Sequence, residues 1–141
     1  MSEMDLQKFL DAQQSDYDAA LREIKNGRKR GHWMWYIFPQ IKGLGHSSTA
    51  NYFAIENLDQ ARRYFEHPLL GKRLVEISGA MLAVEGKSAY HILGSPDDLK
   101  LRSSMTLFSL LPETDPVFEA VLEKYYEGEA DLRTLALVGK R

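Results

Sequence analysis

One stretch constrains this chain more than any other: Lys29-Arg30-Gly31-His32-Trp33-Met34-Trp35-Tyr36-Ile37-Phe38-Pro39-Gln40. It holds both tryptophans, one of the four histidines and a tyrosine, and it begins inside a basic run from Arg28 to Arg30. Rings this dense must be covered, since burying one large aromatic side chain stabilises a fold by roughly 2–3 kcal/mol. The indole N–H groups, the Tyr36 hydroxyl and the His32 ring nitrogens then each need an indoor partner. The segment is either the polar-tipped heart of a core or the wall of a binding pocket. Its residues alone do not choose between these.

What covers the stretch has to come from the rest of the 141 residues, enough for one domain, 1–141, with a real core and no staples. With 44% hydrophobic and 27% charged residues, the composition is that of an ordinary globular protein. A formal net charge of −2 argues against a general nucleic-acid binder, which carries a strongly basic face. The lack of cysteine removes disulfides, thiolate catalysis and cysteine-based zinc sites together. No apolar run approaches the roughly 18 residues of a membrane span. The acidic start, Met1 to Asp5, lacks the basic opening of a signal peptide, so the expected location is the cytoplasm and no membrane partner is expected.

Helical periodicity dominates the order of the chain. Leu6, Phe9, Leu10, Tyr17, Ala20, Leu21 and Ile24 form one helical face, although Ser15 and Asp18 allow a restart that would make two helices. Asn26-Gly27 closes that segment, and Arg28 to Arg30 follow where a helix dipole favours cations. Pro39 disfavours helix at Phe38, which predicts an extended Tyr36 to Phe38. Gly43 to Thr49 reads as a flexible loop; its two glycines lack the Lys-Ser/Thr that a phosphate loop requires.

Beyond that loop, a helix capped by Asn57 is predicted over Leu58 to Phe65. The next has Pro68 in its first turn, carries Leu70, Leu74, Ile77 and Met81 on one face, and is ended by Gly86. Ser88 to Leu93 is predicted as a short helix stopped by Gly94. Ser95-Pro96-Asp97-Asp98 predicts an N-cap at Ser95 for a helix running to about Leu110. Asp115-Pro116 starts another, closed by Gly128, and Asp131 caps a last one reaching Val138. The expected fold class is mainly α: a compact multihelical domain with little or no sheet.

The helix from Pro96 carries the residues least easily explained. Leu99, Leu101, Met105, Leu107, Phe108, Leu110 and Leu111 cover most of its circumference, leaving Asp98, Arg102, Thr106 and Ser109 as a solvent stripe. Asp98 and Arg102 are spaced as an ordinary surface pair. Lys100 and Ser104, by contrast, fall on the arc between Leu107 and Leu111, where solvent is not expected, and a buried lysine is costly unless paired. Lys100 either snorkels outward while Ser104 bonds its own helix, or both face a ligand. Histidines 32, 46, 67 and 91 show no metal-ligand spacing. His67 and His91 read as structural, His46 as a loop residue free to meet a ligand, and His32, between Arg30 and Trp33, as the strongest ligand candidate.

His32 through Gln40, then His67-Pro68-Leu69-Leu70-Gly71, then Asp97-Asp98-Leu99-Lys100-Leu101-Arg102-Ser103-Ser104-Met105-Thr106-Leu107-Phe108, resemble the domain of unknown function 1810 family over nearly the whole chain. The resemblance implies a small, mainly helical protein without an established activity. Some members carry the label calpastatin, which does not suit a chain free of low-complexity sequence. A fainter similarity runs to helical N-glycosidases of ADP-ribose-type substrates, with an aromatic block ahead of a His/Asn-Pro-x-Leu motif. No residue here matches the catalytic glutamate of those enzymes, so the catalytic residue is unassigned.

The expectation is therefore a pocket between the aromatic block and the helix of Lys100, taking a small anionic ligand such as a nucleotide, a sugar phosphate or an ADP-ribose derivative. Trp33, Trp35 or Tyr36 would stack on a base or sugar. Lys29, His32 and Lys100 would face phosphate, and Gln40, Ser103 and Ser104 would supply hydrogen bonds. Hydrolysis of an N-glycosidic bond is the reaction that would fit. No cofactor or metal is implied, and oligomeric state is left open. The alternative is a non-catalytic interaction module whose motifs serve a demanding core.

Overall fold

A computed structural model describes residues 6–139. The acidic start, Met1 to Asp5, lies outside them. Among the described residues the chain forms helices α1 (Gln7–Lys25), α2 (Met34–Ile37), α3 (Ser48–Tyr52), α4 (Leu58–Glu66), α5 (Leu70–Ala83), α6 (Ala89–Leu93), α7 (Asp97–Ser109), α8 (Val117–Tyr126) and α9 (Leu132–Leu137). The only extended pairing among them is one parallel bridge between Ile41 and Ile55. The fold is all-helical, as the periodicity predicts.

Helix α5 packs against α1, α4 and α8, while α7 packs against α4, α6, α8 and α9. An aromatic run ties these elements together. Phe9 of α1 meets Tyr64 of α4 edge-on at 5.1 Å, Tyr64 meets Phe108 of α7 at 5.5 Å, and Phe108 meets Phe118 of α8 at 5.8 Å. All four rings are fully buried, and each such pair adds roughly 0.5–1.5 kcal/mol beyond burial alone. The Tyr64 hydroxyl is not stranded: it accepts from the buried Gln13 amide at 2.9 Å, which also donates to the Tyr36 carbonyl.

Local signals decide most helix starts. Asn57, Ser88 and Asp131 each accept from the backbone N–H three residues on, as N-caps do. The His67-Pro68-Leu69-Leu70-Gly71 motif is a packing device. His67 Nδ1 accepts from the N–H groups of Leu69 and Leu70. Gly71 lets α5 cross α4, because a Cβ there would lie 1.8 Å from the Phe65 carbonyl oxygen.

Several expectations are corrected. Tyr36 to Phe38 is not extended: Met34–Ile37 makes one helical turn, and Pro39 excludes only Phe38, at φ −124° and ψ 75°, from it. The 43–49 loop ends early, because Ser47 caps α3. Helix α1 runs through Ser15 without a restart. Helix α5 begins at Leu70, two residues beyond Pro68, and ends at Ala83, where Val84 turns extended ahead of Gly86. Ser95 does not cap α7; Pro96 holds that position without a side-chain bond, and the first turn's donors reach the Gly94 and Pro96 carbonyls. The expected solvent stripe on α7 is covered. Arg102 bonds the carbonyls of Glu129 and Ala130 rather than pairing with Asp98, and Thr106, fully buried, accepts from the Asp131 N–H. Leu99, expected inside, is 55% exposed.

Candidate functional site

Residues at i, i+3, i+4 and i+7 share one face of a helix. On α7 and its N-cap, that face is Pro96, Leu99, Lys100 and Ser103, and it forms one wall of a cavity of about 500 Å³. Trp35 of α2, Gln40 and the loop from Leu44 to Ser47 line the opposite wall, and Asp131 and Arg133 also contribute. The volume falls within the range of small-molecule sites.

The far wall is held by backbone. The Ile55 N–H donates to the Gln40 carbonyl at 2.8 Å, and Lys42 N–H donates to the Ile55 carbonyl at 2.8 Å, so Ile41 is clamped from both sides and Gln40 is held at its carbonyl. Ala50 N–H donates to Ser47 Oγ at 3.0 Å. Gly45 is needed there, since a Cβ would come within 2.5 Å of the Ala50 methyl.

The cavity's side chains have hydrogen-bonding capacity to spare. Lys100 Nζ stands 5.1 Å above the Trp35 ring and 3.6 Å from an Asp97 oxygen, too long for a tight bond, with the side chain 26% exposed. Among the described residues, the Gln40 amide, the Trp35 indole N–H, the His46 ring and the Arg133 guanidinium make no hydrogen bond or ion pair. The single hydroxyl proton of Ser103 is shared between Asp131 Oδ2 at 2.9 Å and the Leu99 carbonyl at 3.2 Å. The wall holds three cations, Lys100, Arg102 and Arg133, and one carboxylate, Asp131; Lys100 and Arg102 each also reach a carboxylate beside it, Asp97 at 3.6 Å and Glu129 at 3.5 Å.

The structure thus brings four of the expected site residues together: Trp35, Gln40, Lys100 and Ser103. The other five lie elsewhere. Trp33 is 2% exposed and its indole N–H donates to Glu23 Oε1 at 2.8 Å. Lys29, its side chain 9% exposed, pairs with Asp97 at 2.8 Å, donates to the Gly31 carbonyl and stands 5.1 Å above Trp33. Tyr36 donates to Asp16, and burial together with that bond pushes its phenol well above the ordinary range. His32 is exposed and lines neither this cavity nor the cleft beside Lys29. Ser104 is fully buried, its hydroxyl without a hydrogen-bond partner. Neither alternative weighed for it, a bond to its own helix or a ligand contact, is what the geometry shows.

Glu23 organises the sealed side of the aromatic stretch. Its Oε1 accepts from the Arg30 and Gly31 N–H groups as well as from Trp33. Burial works to raise this carboxyl, but those three bonds and the Lys29 charge outweigh it and hold it below the usual carboxylate range.

Sequence reasoning did not assign the other four titratable residues of the cavity wall. Asp131 reads as a cap, which it is, and Arg102 as half of a surface pair. Arg133 carries no local signal, and His46 none beyond its place in a loop. Among the described residues no group of three or more His, Asp or Glu could hold a metal ion, and no helix is long and apolar enough to cross a membrane.

Among the described residues the fold is all-helical, with a cavity between α2 and α7. The chain belongs to the family described as protein of unknown function (DUF1810), whose model matches residues 3–138. Among solved structures it is similar to the conserved hypothetical protein Rv1873 from Mycobacterium tuberculosis, at 46% identity and a TM-score of 0.96. That match covers 99% of this chain and 100% of the other. No curated protein matches it.

Proposed function

We propose that the cavity between α2 and α7 binds a small anionic ligand of the nucleotide or ADP-ribose type. The observation that carries this reading is Lys100: a cation set over the Trp35 ring, weakly held by Asp97, in a wall with four other unspent polar groups. A lysine serving only the fold would be expected either in open solvent or tightly paired. In this reading Lys100 meets phosphate, Trp35 packs on a sugar or base, Gln40 supplies hydrogen bonds, and Ser103, its proton engaged by Asp131, accepts one from a ligand hydroxyl.

The proposal stops at binding. Hydrolysis of a glycosidic bond ordinarily uses two carboxylates, and the cavity wall contains one. The competing interaction-module reading would use exposed apolar residues; Leu99 stands in the cavity wall, while Tyr52, Leu69, Tyr90, Leu132 and Leu137 are exposed outside it. The reading treats residues 1–141 as one domain, supported by a single connected core from Leu6 to Leu122, and places it in the cytoplasm on composition alone.

Calorimetric titration with ADP-ribose tests the proposal. Wild type should bind. Lys100→Met, which keeps most of the side-chain volume, should weaken binding by roughly one to two orders of magnitude while leaving the thermal midpoint unchanged. Equal affinity in both proteins, or no binding by wild type to ADP-ribose, NAD or simple phosphates, would count against it.

A further inference from the structure

Asp131 is an odd residue to find in a cavity lined by Lys100, Arg102 and Arg133. Its local structural work is clear. Oδ2 accepts from the Ser103 hydroxyl at 2.9 Å, the Thr134 N–H at 3.2 Å and the Thr134 hydroxyl, which caps α9 and ties it to α7. All three bonds use one oxygen. Oδ1 has no hydrogen-bond partner among the described residues. A cap needs no charge, since asparagine serves as well there. The capping role therefore occupies one oxygen of Asp131 and leaves the second, on a half-buried residue of the cavity wall, open to a ligand.

An ionised carboxylate only accepts hydrogen bonds. Beside a phosphate site it repels the ligand unless the ligand also brings a donor. A ligand ammonium would be that donor at the cost of facing Lys100 and Arg133. A neutral hydroxyl meets both demands, because it donates to the carboxylate without repelling the cations. Building on the anion-binding reading above, we infer that the ligand is a phosphate ester whose carbon part carries free hydroxyls, and that Asp131 selects it by accepting from those hydroxyls. Asp131 is thus the specificity-determining residue of the site, and Lys100 the residue for charge. Ser103 positions the carboxylate from α7, one turn from Lys100.

Three probes separate these roles: ribose 5-phosphate, tetrahydrofurfuryl phosphate (the same ring and phosphate without free hydroxyls) and inorganic phosphate. In calorimetry, wild type should bind ribose 5-phosphate at least tenfold more tightly than the hydroxyl-free ester. Asp131→Asn keeps an N-cap and replaces the free acceptor by an amide donor. It should erase that gap, and it should bind tetrahydrofurfuryl phosphate and inorganic phosphate as tightly as wild type or more so. Equal wild-type affinity for the two esters, or a gap that survives in Asp131→Asn, would overturn the inference while leaving the anion site standing. Failure of wild type to bind any of the three would overturn the anion site and the inference together. Should Asp131→Asn not fold, as judged by circular dichroism, the wild-type comparison of the two esters decides alone.

Discussion

Two lysines stand over two tryptophans in this molecule, each at 5.1 Å, and both reach for the same aspartate. Lys29 lies on Trp33 and holds Asp97 at 2.8 Å; Lys100 lies on Trp35 and reaches it only at 3.6 Å. In the first pair Trp33 is sealed and Lys29, at the edge of a second cleft, is largely buried, and the hydrogen bonds of the indole and ammonium are made within the protein. The second opens on a cavity, and its indole N–H is unspent. The same two residue types, their tryptophans two positions apart in one aromatic stretch, serve the core in one case and line a cavity in the other. What separates them is whether neighbouring elements supply hydrogen-bond partners. Glu23 of α1 does so for Trp33, and nothing described does so for Trp35.

The comparison can be broken most forcefully on its sealed side. Trp33→Ala should destabilise the protein by about 3–5 kcal/mol, because it removes a buried ring and one of Glu23's donors. Urea denaturation measures this, and a loss below about 1 kcal/mol would mean that Trp33 is not core.

A smaller effect comes through Glu23, whose folded carboxyl titrates below its ordinary value of 4.5. The stability it contributes is full above that value and is lost as pH falls through the lowered one. Glu23→Gln retains an acceptor oxygen, so it should cost about 1 kcal/mol at neutral pH. The gap to wild type should narrow as the pH drops below 4.5. Urea midpoints across that range check the sign, and a gap that widens on acidification would contradict it.

The smallest effect is expected at Ser95. Ser95→Ala should leave the denaturation midpoint unchanged, because Pro96 rather than Ser95 holds the N-cap of α7. A loss near 1 kcal/mol would restore the capping role that the sequence suggests.

Ser95 also shows where the sequence was legible and where it was not. Caps act within three residues, so Asn57, Ser88 and Asp131 announce their helices without knowledge of the rest of the fold. At Ser95 the same signal is displaced by one residue, and the Gly94 and Pro96 carbonyls take over the first-turn donors. Helices α2 and α3 are a turn or so long, α2 packed on α1 and α3 capped by Ser47, and periodicity has too few residues to find them. Lys100 was legible as misplaced, because its angular position on α7 follows from the sequence alone. The split between Trp33 and Trp35 was not, since it depends on Glu23 arriving from α1. Nor was the supposed solvent stripe of α7, which is covered by a segment almost thirty residues downstream.

The central claim, that the open lysine–tryptophan pair faces a ligand while the sealed pair does not, is tested most directly by tryptophan emission. In Trp33→Phe the only indole is Trp35, and in Trp35→Phe it is Trp33. Titrating each with ADP-ribose should give a saturable change in the Trp35 signal, with the midpoint found by calorimetry, and a flat Trp33 signal. A Trp33 signal that responds while Trp35 stays flat at concentrations where calorimetry detects binding would contradict the account.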